Sequence, residues 1–484
     1  MLRRDTMSMK WIDDRALKLA RSSNGKVSLK EAEVISALVD LSTSVLSHPL
    51  LARAHAHERV VKDEVLQSYA ADLGRLFIRR FSPDGPMRDG QFSSELEATL
   101  HEGDERVGDE VSMKLIRAMG SAVEHTIRTN IFNPERRALS LRLMPQFFTP
   151  VIPPFEGLSN MPYGVFFCAG RHFNGFHVRF GDIGRGGLRV VLPPSAGAHD
   201  VESGRHFMEC FNLAWAQTLK NKDIPESGAK GVLLVNPVPG EDRAKHMHSC
   251  VQKMIDGMLD LITPNAAPET AWHGASREVR GGTLVPSSLV PSLYLPCTFP
   301  VPSLYLPCSW RHTRALQLAP GPAPSRSHIW QVDGVDYSKE LIYLGPDENI
   351  TPKDIEYIVD RAAKRGYKMP AAFMSSKPRA GINHKVYGVT SEGVAVFLDE
   401  ALRAIGIEPK QQPWTVKLTG GPDGDVAGNM LNILHREYGE MVKVVGLADG
   451  TASAEDPNGL PMAELVRMFE QSLPLEVRGG RRHV

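Results

Sequence analysis

Basic residues stand next to glycines, or at the end of a predicted helix, in two nearby stretches of the chain. Arg185 and Arg189 lie in DIGRGGLR. Lys220 ends a helical pattern, and Lys230 lies in ESGAKG, where we expect a turn before the buried strand VLLVN. A substrate with two carboxylates needs two separate cationic contacts. A further amine held near those cations loses its proton more readily, and it can then act as a general base or polarise a carbonyl. Solvated surface charge is the alternative for each residue taken alone.

A glycine turn is predicted between two strands in WTVKLTGGPDGDVAGNMLNILHREYGEMVKVVGLAD, residues 414–449. Glycines at such a turn let pyrophosphate approach the N-terminus of the following helix, and an acidic residue about 20 positions later accepts from a ribose hydroxyl. The glycine positions are taken by Gly421, Gly424 and either Ala427 or Gly428. Asp449 takes the acidic position and favours NAD over its 2′-phosphorylated relative by charge repulsion. A plain structural loop is the alternative. The side chains expected to turn inward from the helix are Val426, Met430, Ile433 and Leu434.

The elements that must position these residues change in character near residue 146. Before it, LKEAEVISALVDLSTSVL and VSMKLIRAMGSAVEHTIRTNIF carry apolar residues three and four positions apart, which predicts helices. After it, the alternation in FHVRF predicts a strand and GDIGRGG is expected to be a turn. A helix is then predicted over about 203–221. Its apolar row at four-residue steps is Phe207, Phe211, Trp215 and Leu219.

Helices alternate with short strands toward the C-terminus, which is typical of α/β proteins. Thr351 and Pro352 are expected to cap and begin one helix, and Gly366 to follow its end. A second helix is predicted over 391–406, with Thr390 or Ser391 as its N-cap. The fold class is therefore α/β. The domains expected are a helical N-terminal region over 1–145, a substrate domain over 146–410 and a partial Rossmann-type dinucleotide-binding domain over 411–484.

A block at about 265–332 differs from the rest of the chain. VPSLYLPC occurs twice in it, at 290–297 and 301–308, among many Pro, Ser and Leu residues without a helical or strand period. Two copies are too few for a solenoid. We expect an insertion in the substrate domain that is disordered or that results from mis-predicted splicing.

Composition limits the classes of partner. Lys+Arg and Asp+Glu both total 56, so no net positive charge draws the chain to nucleic acid or to a membrane surface. Five scattered cysteines favour a reducing compartment, and no apolar run reaches the roughly 18 residues of a membrane span. We expect a soluble intracellular protein, with mitochondrion and cytoplasm both open. A zinc site from His246, His248 and Cys250 is disfavoured because His248 does not share a helix face with the other two, so we expect no metal.

Several motifs together resemble one enzyme family. DIPESGAKGVLLVNP is similar to the active-site signature of glutamate dehydrogenases. The motifs that resemble the large-subunit, NAD-specific branch are HVRFGDIGRGGLR, LGPDEN, GINHKVYGVTSEGV, LTGGPDGDVAGN and ADGTASAEDPNGL. The resemblance covers about 130–470 apart from the inserted block, and it implies a dehydrogenase of the Glu/Leu/Phe/Val family with NAD as cofactor and a homo-oligomeric assembly.

The resemblance also implies roles for single residues. Lys230 matches the catalytic lysine that activates water or the carbonyl at the α-carbon, and Asp347 in GPDEN matches the aspartate that shuttles protons to and from the amine. Lys220 falls where the family binds the α-carboxylate, and Arg185 falls near the side-chain carboxylate. Gly186 and Gly187 are counted with the substrate site. The positions implied for the cofactor are Thr390, Gly421, Gly424, Asp425, Val426 and Asp449.

Two alternatives to a glutamate dehydrogenase stay open. A dinucleotide-binding half has three parallel strands, and only two are predicted before Val484, so the chain is also compatible with a truncated subunit without catalysis. A dehydrogenase of another amino acid is the second alternative. Arg185 disfavours it, because an apolar side-chain pocket would not bury a guanidinium.

Overall fold

The computed structural model describes residues 11–46, 52–85, 87–153, 161–220, 227–263, 340–375, 387–449 and 452–475. The chain divides into two compact units, Met1–Met374 and Ser375–Val484. The sequence pattern put a domain boundary near residue 410 instead. The difference arises because the helix predicted over 391–406 packs Ala395 and Leu402 into the core of the second unit. The insertion predicted at 265–332 lies outside the described residues.

Six helices precede the first strand in the described part of the chain, which confirms the predicted helical character of this region. They span Asp14–Ser22 (α1), Leu29–Thr43 (α2), Arg53–Lys62 (α3), Glu64–Arg80 (α4), Asp89–Arg106 (α5) and Glu110–His125 (α6). Ser28 and Glu31 form a capping box at the start of α2, so two backbone N–H groups that the helix leaves unpaired are satisfied. Buried apolar side chains such as Leu38, Leu73 and Leu115 join these helices in one core.

The helix predicted to continue past residue 125 ends there, and that part of the prediction was wrong because a short strand follows. Thr126–Thr129 forms β1 and pairs antiparallel with β2, Leu139–Leu143. Thr126, Ile127 and Thr129 are β-branched, and such side chains favour a pleated strand over a helix. The sheet therefore begins before the change in sequence character near residue 146.

A seven-stranded mixed sheet forms the centre of the first unit, with strand order β1-β2-β3-β4-β6-β5-β7. The remaining strands are Gly164–Gly170 (β3), Phe173–Arg179 (β4), Ile183–Val191 (β5), Ser227–Val235 (β6) and Leu341–Pro346 (β7). The helices that alternate with them are Ala196–Lys220 (α7), Arg243–Ile262 (α8), Pro352–Lys364 (α9) and Pro370–Phe373 (α10). Strand β5 lies between β6 and β7 and runs parallel to both. The α/β class predicted from the sequence is confirmed.

Two segments predicted as turns are strands. The GDIGRGG segment enters β5 at Ile183, so Arg185, Gly186 and Gly187 lie in a central strand. Its glycines permit close strand packing, because a β-carbon added at Gly186 would lie 1.5 Å from the carbonyl oxygen of Ala229. Lys230 likewise lies inside β6 and is only 8% exposed. The turn was predicted because small residues are abundant in this segment. In the structure, the close approach of the neighbouring backbone explains why these residues are small.

Different helices cover the two faces of the parallel strands. Helix α7 covers one face, where Val232 of β6 joins Phe207 and Phe211 in the first core. Helices α8 and α9 cover the other face, where Leu188 of β5 joins a second core with residues such as Ile255 and Ile358. Because alternate residues of a strand point to opposite faces, Arg185, Gly187 and Arg189 share the α7 face with Lys230.

Two helices can be compared with their predicted bounds. Helix α7 begins at Ala196, before the predicted residue 203, and its Leu219 is 59% exposed although we expected it to be buried. Helix α9 matches its prediction: Thr351 caps it in a capping box with Asp354, Pro352 is its first residue, and Gly366 follows it with φ +71°.

The second unit contains a strand, helix, strand arrangement, as predicted. Its elements are Val389–Ala404 (α11), Trp414–Thr419 (β8), Asp425–Tyr438 (α12), Val442–Ala448 (β9), Ser453–Glu455 (β10) and Met462–Glu470 (α13). Strands β8 and β9 are parallel and α12 connects them, while the short β10 pairs antiparallel with β9. This arrangement corresponds to the start of a Rossmann-type fold.

Two side-chain predictions in the second unit were wrong. The N-cap of α11 is Gly388, in the left-handed conformation at φ 59°, so Thr390 is already inside the helix instead of capping it. Val426 is 43% exposed, whereas Met430, Ile433 and Leu434 are buried as expected. Val426 lies in the first turn of α12, which extends past the packed core.

Among the described residues, no helix combines the length and the apolar character needed to cross a bilayer.

Candidate active site

Lys230 and Asp347 are in direct contact in the first unit. The Nζ atom of Lys230, in β6, donates a hydrogen bond to Oδ2 of Asp347, which follows the end of β7. The Lys230 side chain is 10% exposed and the Asp347 side chain 30%, so the pair lies partly shielded from water. A β-carbon added at Gly187 would lie 3.1 Å from both of these polar atoms. The glycine of the intervening strand therefore leaves the space in which the two side chains meet.

Backbone hydrogen bonds fix the position of Asp347. Its N–H donates to the carbonyl of Leu188 (3.1 Å), and its Oδ1 accepts from the N–H of Glu348 (2.8 Å). Asn349 adopts a left-handed conformation at φ 62° and donates from its side chain to the carbonyl of Val190 (2.8 Å). The loop after β7 is thus held against β5, and the carboxylate is directed toward Lys230.

The electrostatics of the pair differ from the arrangement expected from the sequence. Partial burial alone raises the pKa of the Asp347 carboxyl, but the hydrogen bond and charge of Lys230, with a further contribution from Arg189, bring it below its ordinary value. The immediate neighbour of the Lys230 ammonium is thus a carboxylate, whereas we had expected a group of cations. An ion pair of this kind can exchange a proton when a substrate separates its partners.

Arg185 and Lys220 approach the same end of the parallel strands. Arg185 stands opposite Gly228 in the register of β5 and β6, and its guanidinium carbon lies 5.9 Å from the ring centre of Tyr343. The N–H of Gly228 donates to Oγ1 of Thr218 (3.0 Å), two residues before the exposed Lys220 that ends α7. The structure therefore brings the end of α7 next to the strand position that faces Arg185.

The two predicted substrate-site glycines have different surroundings. Gly187 faces the contact between Lys230 and Asp347. Gly186 packs against the neighbouring strand β6, where the backbone of Ala229 fills the space that a side chain would need. Gly186 therefore allows the strands to pack closely, whereas Gly187 lies beside Lys230 and Asp347.

The predicted cofactor residues gather around the start of α12 in the second unit. Gly424 is the N-cap of α12 and makes no side-chain cap, and the N–H of Gly424 donates to the carbonyl of Gly421 (3.0 Å). A β-carbon added at Gly421 would lie 2.6 Å from Oδ1 of Asp423 and 2.7 Å from Oδ2 of Asp449. Asp425 begins α12, and the exposed Val426 follows it.

The start of α11 lies against the start of α12. Ser391 donates from Oγ to the carbonyl of Val426 (2.8 Å), and a β-carbon added at Gly388 would lie 2.9 Å from Oδ1 of Asn429. Thr390, which is exposed, precedes Ser391 in the first turn of α11. Two helix N-termini, each with unpaired backbone N–H groups and partial positive charge, therefore adjoin at the glycine turn.

Asp449 is held by the backbone around it. Its Oδ1 accepts from the N–H of Ala452 and its Oδ2 from the N–H of Leu475, both at 2.8 Å. These contacts fix the carboxylate after the end of β9, beside Gly421.

Two further charged residues adjoin the site: Arg189, which the sequence analysis grouped with the cations, and Glu209, which it did not name. Arg189 lies on the same strand face as Gly187, with Nε 3.7 Å from Oδ2 of Asp347. Its Nη1 donates to Oε1 of Glu209 in α7 at 3.0 Å. Had GRGGLR been interpreted as a strand, its alternation would have put Arg185, Gly187 and Arg189 on one face. No sequence signal identified Glu209.

The residues of the zinc site that the sequence analysis disfavoured have separate partners. His246 lies 2.7 Å from Oε2 of Glu241 and 2.9 Å from the carbonyl of Asn236, while His248 contacts Asp354. Burial raises the pKa of the Cys250 thiol to about 11. Among the described residues, no group of three or more His, Cys, Asp or Glu side chains is placed to hold a metal.

Comparisons with known proteins find similarity to glutamate dehydrogenases. The model of the bacterial NAD-glutamate dehydrogenase catalytic domain matches residues 99–276, and the model of the glutamate/leucine/phenylalanine/valine dehydrogenases matches residues 381–476. Each model matches less than half of the chain, so these two regions are similar to glutamate dehydrogenases and their relatives. Over about three quarters of its length the chain is also similar to large NAD-specific glutamate dehydrogenases.

Three relatives illustrate this similarity. Glutamate dehydrogenase 2 of Dictyostelium discoideum is 29% identical over 78% of this chain and 28% of its own length. The NAD-specific glutamate dehydrogenase of Neurospora crassa is 29% identical over 74% of this chain and 27% of its own. That of Saccharomyces cerevisiae is 27% identical over 75% and 27%. The chain thus spans about a quarter of the length of the curated relatives it matches.

Solved structures of glutamate dehydrogenases also match. The hetero-hexameric glutamate dehydrogenase from Thermus thermophilus is 18% identical, with a TM-score of 0.36, over 63% of this chain and 53% of its own. The glutamate dehydrogenase from Peptoniphilus asaccharolyticus is 14% identical, with a TM-score of 0.34, over 78% of this chain and 66% of its own.

Proposed function

We propose that this chain carries out NAD-dependent oxidative deamination of L-glutamate to 2-oxoglutarate and ammonia, a reversible reaction. The observation that carries the proposal is the contact of Lys230 with Asp347 on a strand face that also bears Arg185. A lysine paired with a carboxylate supplies both a proton donor and a proton acceptor beside two cationic groups that suit a dicarboxylate. Similarity to the dehydrogenase family models over residues 99–276 and 381–476 supports the same reaction.

Each residue of the first unit has a part in the proposal. Arg185 binds the side-chain carboxylate, since its planar guanidinium can make two parallel hydrogen bonds to it. Lys220 binds the α-carboxylate, which its long side chain would have to reach from the exposed end of α7. Gly187 leaves the space in which Lys230 and Asp347 meet. Gly186 contributes by allowing β5 and β6 to pack closely.

Proton transfer falls to Lys230 and Asp347. Asp347, whose pKa is lowered by Lys230 in spite of burial, is ionised at neutral pH and accepts a proton from the substrate amine. Lys230 then directs a water molecule at the α-carbon and stabilises the oxygen that becomes the carbonyl of 2-oxoglutarate. When the reaction runs in reverse, Asp347 returns the proton to the amine of the newly formed glutamate.

The residues of the second unit fit a dinucleotide. A β-carbon at Gly421 would enter the space between Asp423 and Asp449, and α12 begins without a side-chain cap, so its first N–H groups are open to pyrophosphate. Gly421, Gly424, Asp425 and Val426 would line the pyrophosphate, Asp449 would accept from the ribose, and Thr390 would approach the nicotinamide. Bound NAD supplies the acceptor for the hydride of the α-carbon.

The wider assignments are part of the same proposal. They comprise a substrate domain, a partial NAD-binding domain whose core includes α11, small-molecule substrates with neither nucleic acid nor membrane as a partner, and a homo-oligomeric intact protein. Light scattering of the purified chain tests the last of these.

The test is glutamate-dependent formation of NADH by the purified full chain, followed by its absorbance. We expect saturable NADH binding and NADH formation with glutamate, and Lys230→Gln should abolish the reaction while retaining NADH binding. Lys245→Gln is the matched control, because Lys245 is exposed at the start of α8. Activity with leucine but not glutamate would indicate another amino acid substrate. Absence of both binding and turnover would indicate a chain without catalysis.

A further inference from the structure

Arg189 stands at the centre of a row of alternating charges on the α7 side of the sheet. The row runs from Glu209 in α7, through Arg189 in β5 and Asp347 after β7, to Lys230 in β6. Nη1 of Arg189 is hydrogen-bonded to Glu209 at 3.0 Å, and Nε lies 3.7 Å from Oδ2 of Asp347. The same oxygen of Asp347 accepts from Lys230. One carboxylate oxygen therefore faces two cations from two different strands.

We propose that Arg189 is a positioning residue that holds the carboxylate of Asp347, and that Glu209 orients Arg189 for this task. The inference deepens the proposed function, because Asp347 is the proton acceptor there. Arg189 itself reaches no substrate atom in this arrangement and acts through Asp347.

Unused hydrogen-bonding capacity supports this assignment. Nε of Arg189 is buried and has no hydrogen-bond partner among the described residues. Its nearest acceptors are Oδ2 of Asp347 at 3.7 Å and Oε2 of Glu348 at 3.6 Å. A buried donor without a partner is costly, and catalytic hydrogen bonds that are long in a free enzyme tighten when substrate binds. When Lys230 turns toward the substrate, Arg189 is the cation that remains beside Asp347.

The anchoring of the guanidinium makes it a fixed charge. Arg189 and Glu209 each have a side chain that is 27% exposed, so water screens their contact only in part. Glu348, at 60% exposed, is more open to solvent and sits in the same loop as Asp347. The charged groups that face Asp347 are thus Lys230 from β6 and Arg189 from β5, with Glu348 beside it in the loop, while Glu209 from α7 reaches it through Arg189. The charge of Arg189 lowers the pKa of Asp347. Larger effects come from burial, which raises this pKa, and from Lys230 and the N–H of Glu348, which lower it.

The first experiment measures the titration of Asp347 directly, without any need for turnover. In the full chain labelled with carbon-13 at aspartate side chains, the Asp347 signal is assigned with Asp347→Asn and followed by NMR as the pH changes. Arg189→Gln is expected to move the Asp347 midpoint to higher pH, because a neighbouring positive charge is lost. Arg189→Lys, which keeps the charge, should leave the midpoint near that of the wild type.

Arg205→Gln is the matched control on α7. Arg205 pairs with Glu202 and has a side chain that is 62% exposed, so its removal should leave the Asp347 midpoint unchanged. An unchanged midpoint in Arg189→Gln would overturn the proposal, as would an equal shift in Arg205→Gln.

The second experiment separates kcat from KM with glutamate as substrate. Arg189→Gln should lower kcat roughly ten- to hundredfold with a small change in KM, because a misplaced acceptor slows the reaction more than it weakens binding. The acid limb of the kcat–pH profile of Arg189→Gln should move to higher pH together with the NMR midpoint. Glu209→Gln should also lower kcat, because Arg189 then loses the carboxylate that orients it. A rise in KM with kcat unchanged would instead identify Arg189 as a substrate-binding residue and contradict positioning. Should the wild-type chain lack turnover, the proposed function fails while the NMR titration still decides the role of Arg189.

Discussion

Lys230 and Asp347 touch across an intervening strand although 117 residues separate them in the chain. Strands that flank a third strand are about 10 Å apart, which exceeds the reach of most side-chain pairs. The contact forms because β5 presents Gly187 at the crossing point and because Lys230 is long. The contact therefore depends on the lack of a side chain at Gly187 as well as on the side chains of Lys230 and Asp347.

Gly187→Ala should reduce activity without unfolding the protein. The new methyl group would stand 3.1 Å from both Lys230 Nζ and Asp347 Oδ2, and these flexible side-chain ends can move apart. We expect kcat to fall at least about tenfold, since small displacements of reacting groups have large effects on rate. Steady-state kinetics combined with a thermal melt measures both quantities.

Two further glycines provide the comparison. Gly186→Ala would drive a β-carbon to within 1.5 Å of the Ala229 carbonyl, so we expect loss of the folded state. Gly204, in the middle of α7, has open space around it, and Gly204→Ala should stabilise the helix by about 1 kcal/mol with activity unchanged. Equal melting temperatures and equal rates for the Gly187 and Gly204 variants would contradict the crossing-point argument.

Asp347→Asn should lower kcat roughly 10²- to 10⁴-fold while changing KM little, because it removes a proton acceptor and keeps the shape of the side chain. Rapid kinetics under single-turnover conditions would locate the defect in the chemical step. Asp360→Asn, at an exposed position of α9, is the matched control and should retain wild-type kinetics. A loss confined to KM would point to a role in binding.

Two buried histidines should make the first unit unstable in acid. Burial lowers the pKa of His177 and of His206 to about 3, from an ordinary value near 6.5, with nearby arginine charges adding to the effect. Both are neutral in the folded chain, so the unfolded chain binds more protons between these values. The free energy of unfolding should therefore fall as the pH drops from about 6.5 toward 3, by up to about 1.4 kcal/mol per pH unit for each histidine.

Urea denaturation at several pH values checks this dependence. His177 has no hydrogen-bond partner among the described residues at either ring nitrogen, so His177→Phe should fold and should lose less stability between pH 7 and pH 5 than the wild type. His101, with a side chain 78% exposed, provides the control substitution His101→Gln. Identical pH dependence in the wild type and His177→Phe would contradict the assignment.

The sequence predicted those elements whose signals are local. The capping box and proline at the start of α9 and the glycine after it satisfy backbone groups within one turn, so Thr351, Pro352 and Gly366 could be recognised one by one. The strand, helix, strand order around α12 was predictable for the same reason.

The arrangement of the site depended on contacts that no local pattern records. The glycines near Arg185 suggested a turn, yet they are small because Ala229, Lys230 and Asp347 crowd β5 from both sides. Resemblance to known dehydrogenases implied catalytic roles for Lys230 and Asp347, but their direct contact was not predicted. Arg189 and Glu209 meet because of strand register and helix placement, which arise from the packing of the whole sheet.

The acidic residue at the end of β9 should control the choice of dinucleotide. Asp449→Asn removes the negative charge and retains an acceptor for one of the two backbone N–H groups that the carboxylate now binds. We expect weaker NADH binding and a preference for NADH over NADPH that narrows about tenfold, measured by fluorescence titration with each nucleotide. Glu470→Gln, exposed on α13, should leave both affinities unchanged. An unaltered preference in Asp449→Asn would indicate that charge at this position does not select the cofactor.

Arg185 should distinguish glutamate from an apolar amino acid. The residue is half-buried on the strand face of Lys230, beside the ring of Tyr343, where water competes only partly for a carboxylate. Arg185→Leu should lower kcat/KM for glutamate roughly ten- to hundredfold, because a charged hydrogen bond is lost, and should leave kcat/KM for leucine unchanged or higher. Arg185→Lys should recover part of the glutamate activity, since it keeps the charge without the planar fork. The exposed Arg88 provides the control substitution Arg88→Leu. Equal losses for glutamate and leucine in Arg185→Leu would indicate that Arg185 supports the sheet instead of the side-chain carboxylate.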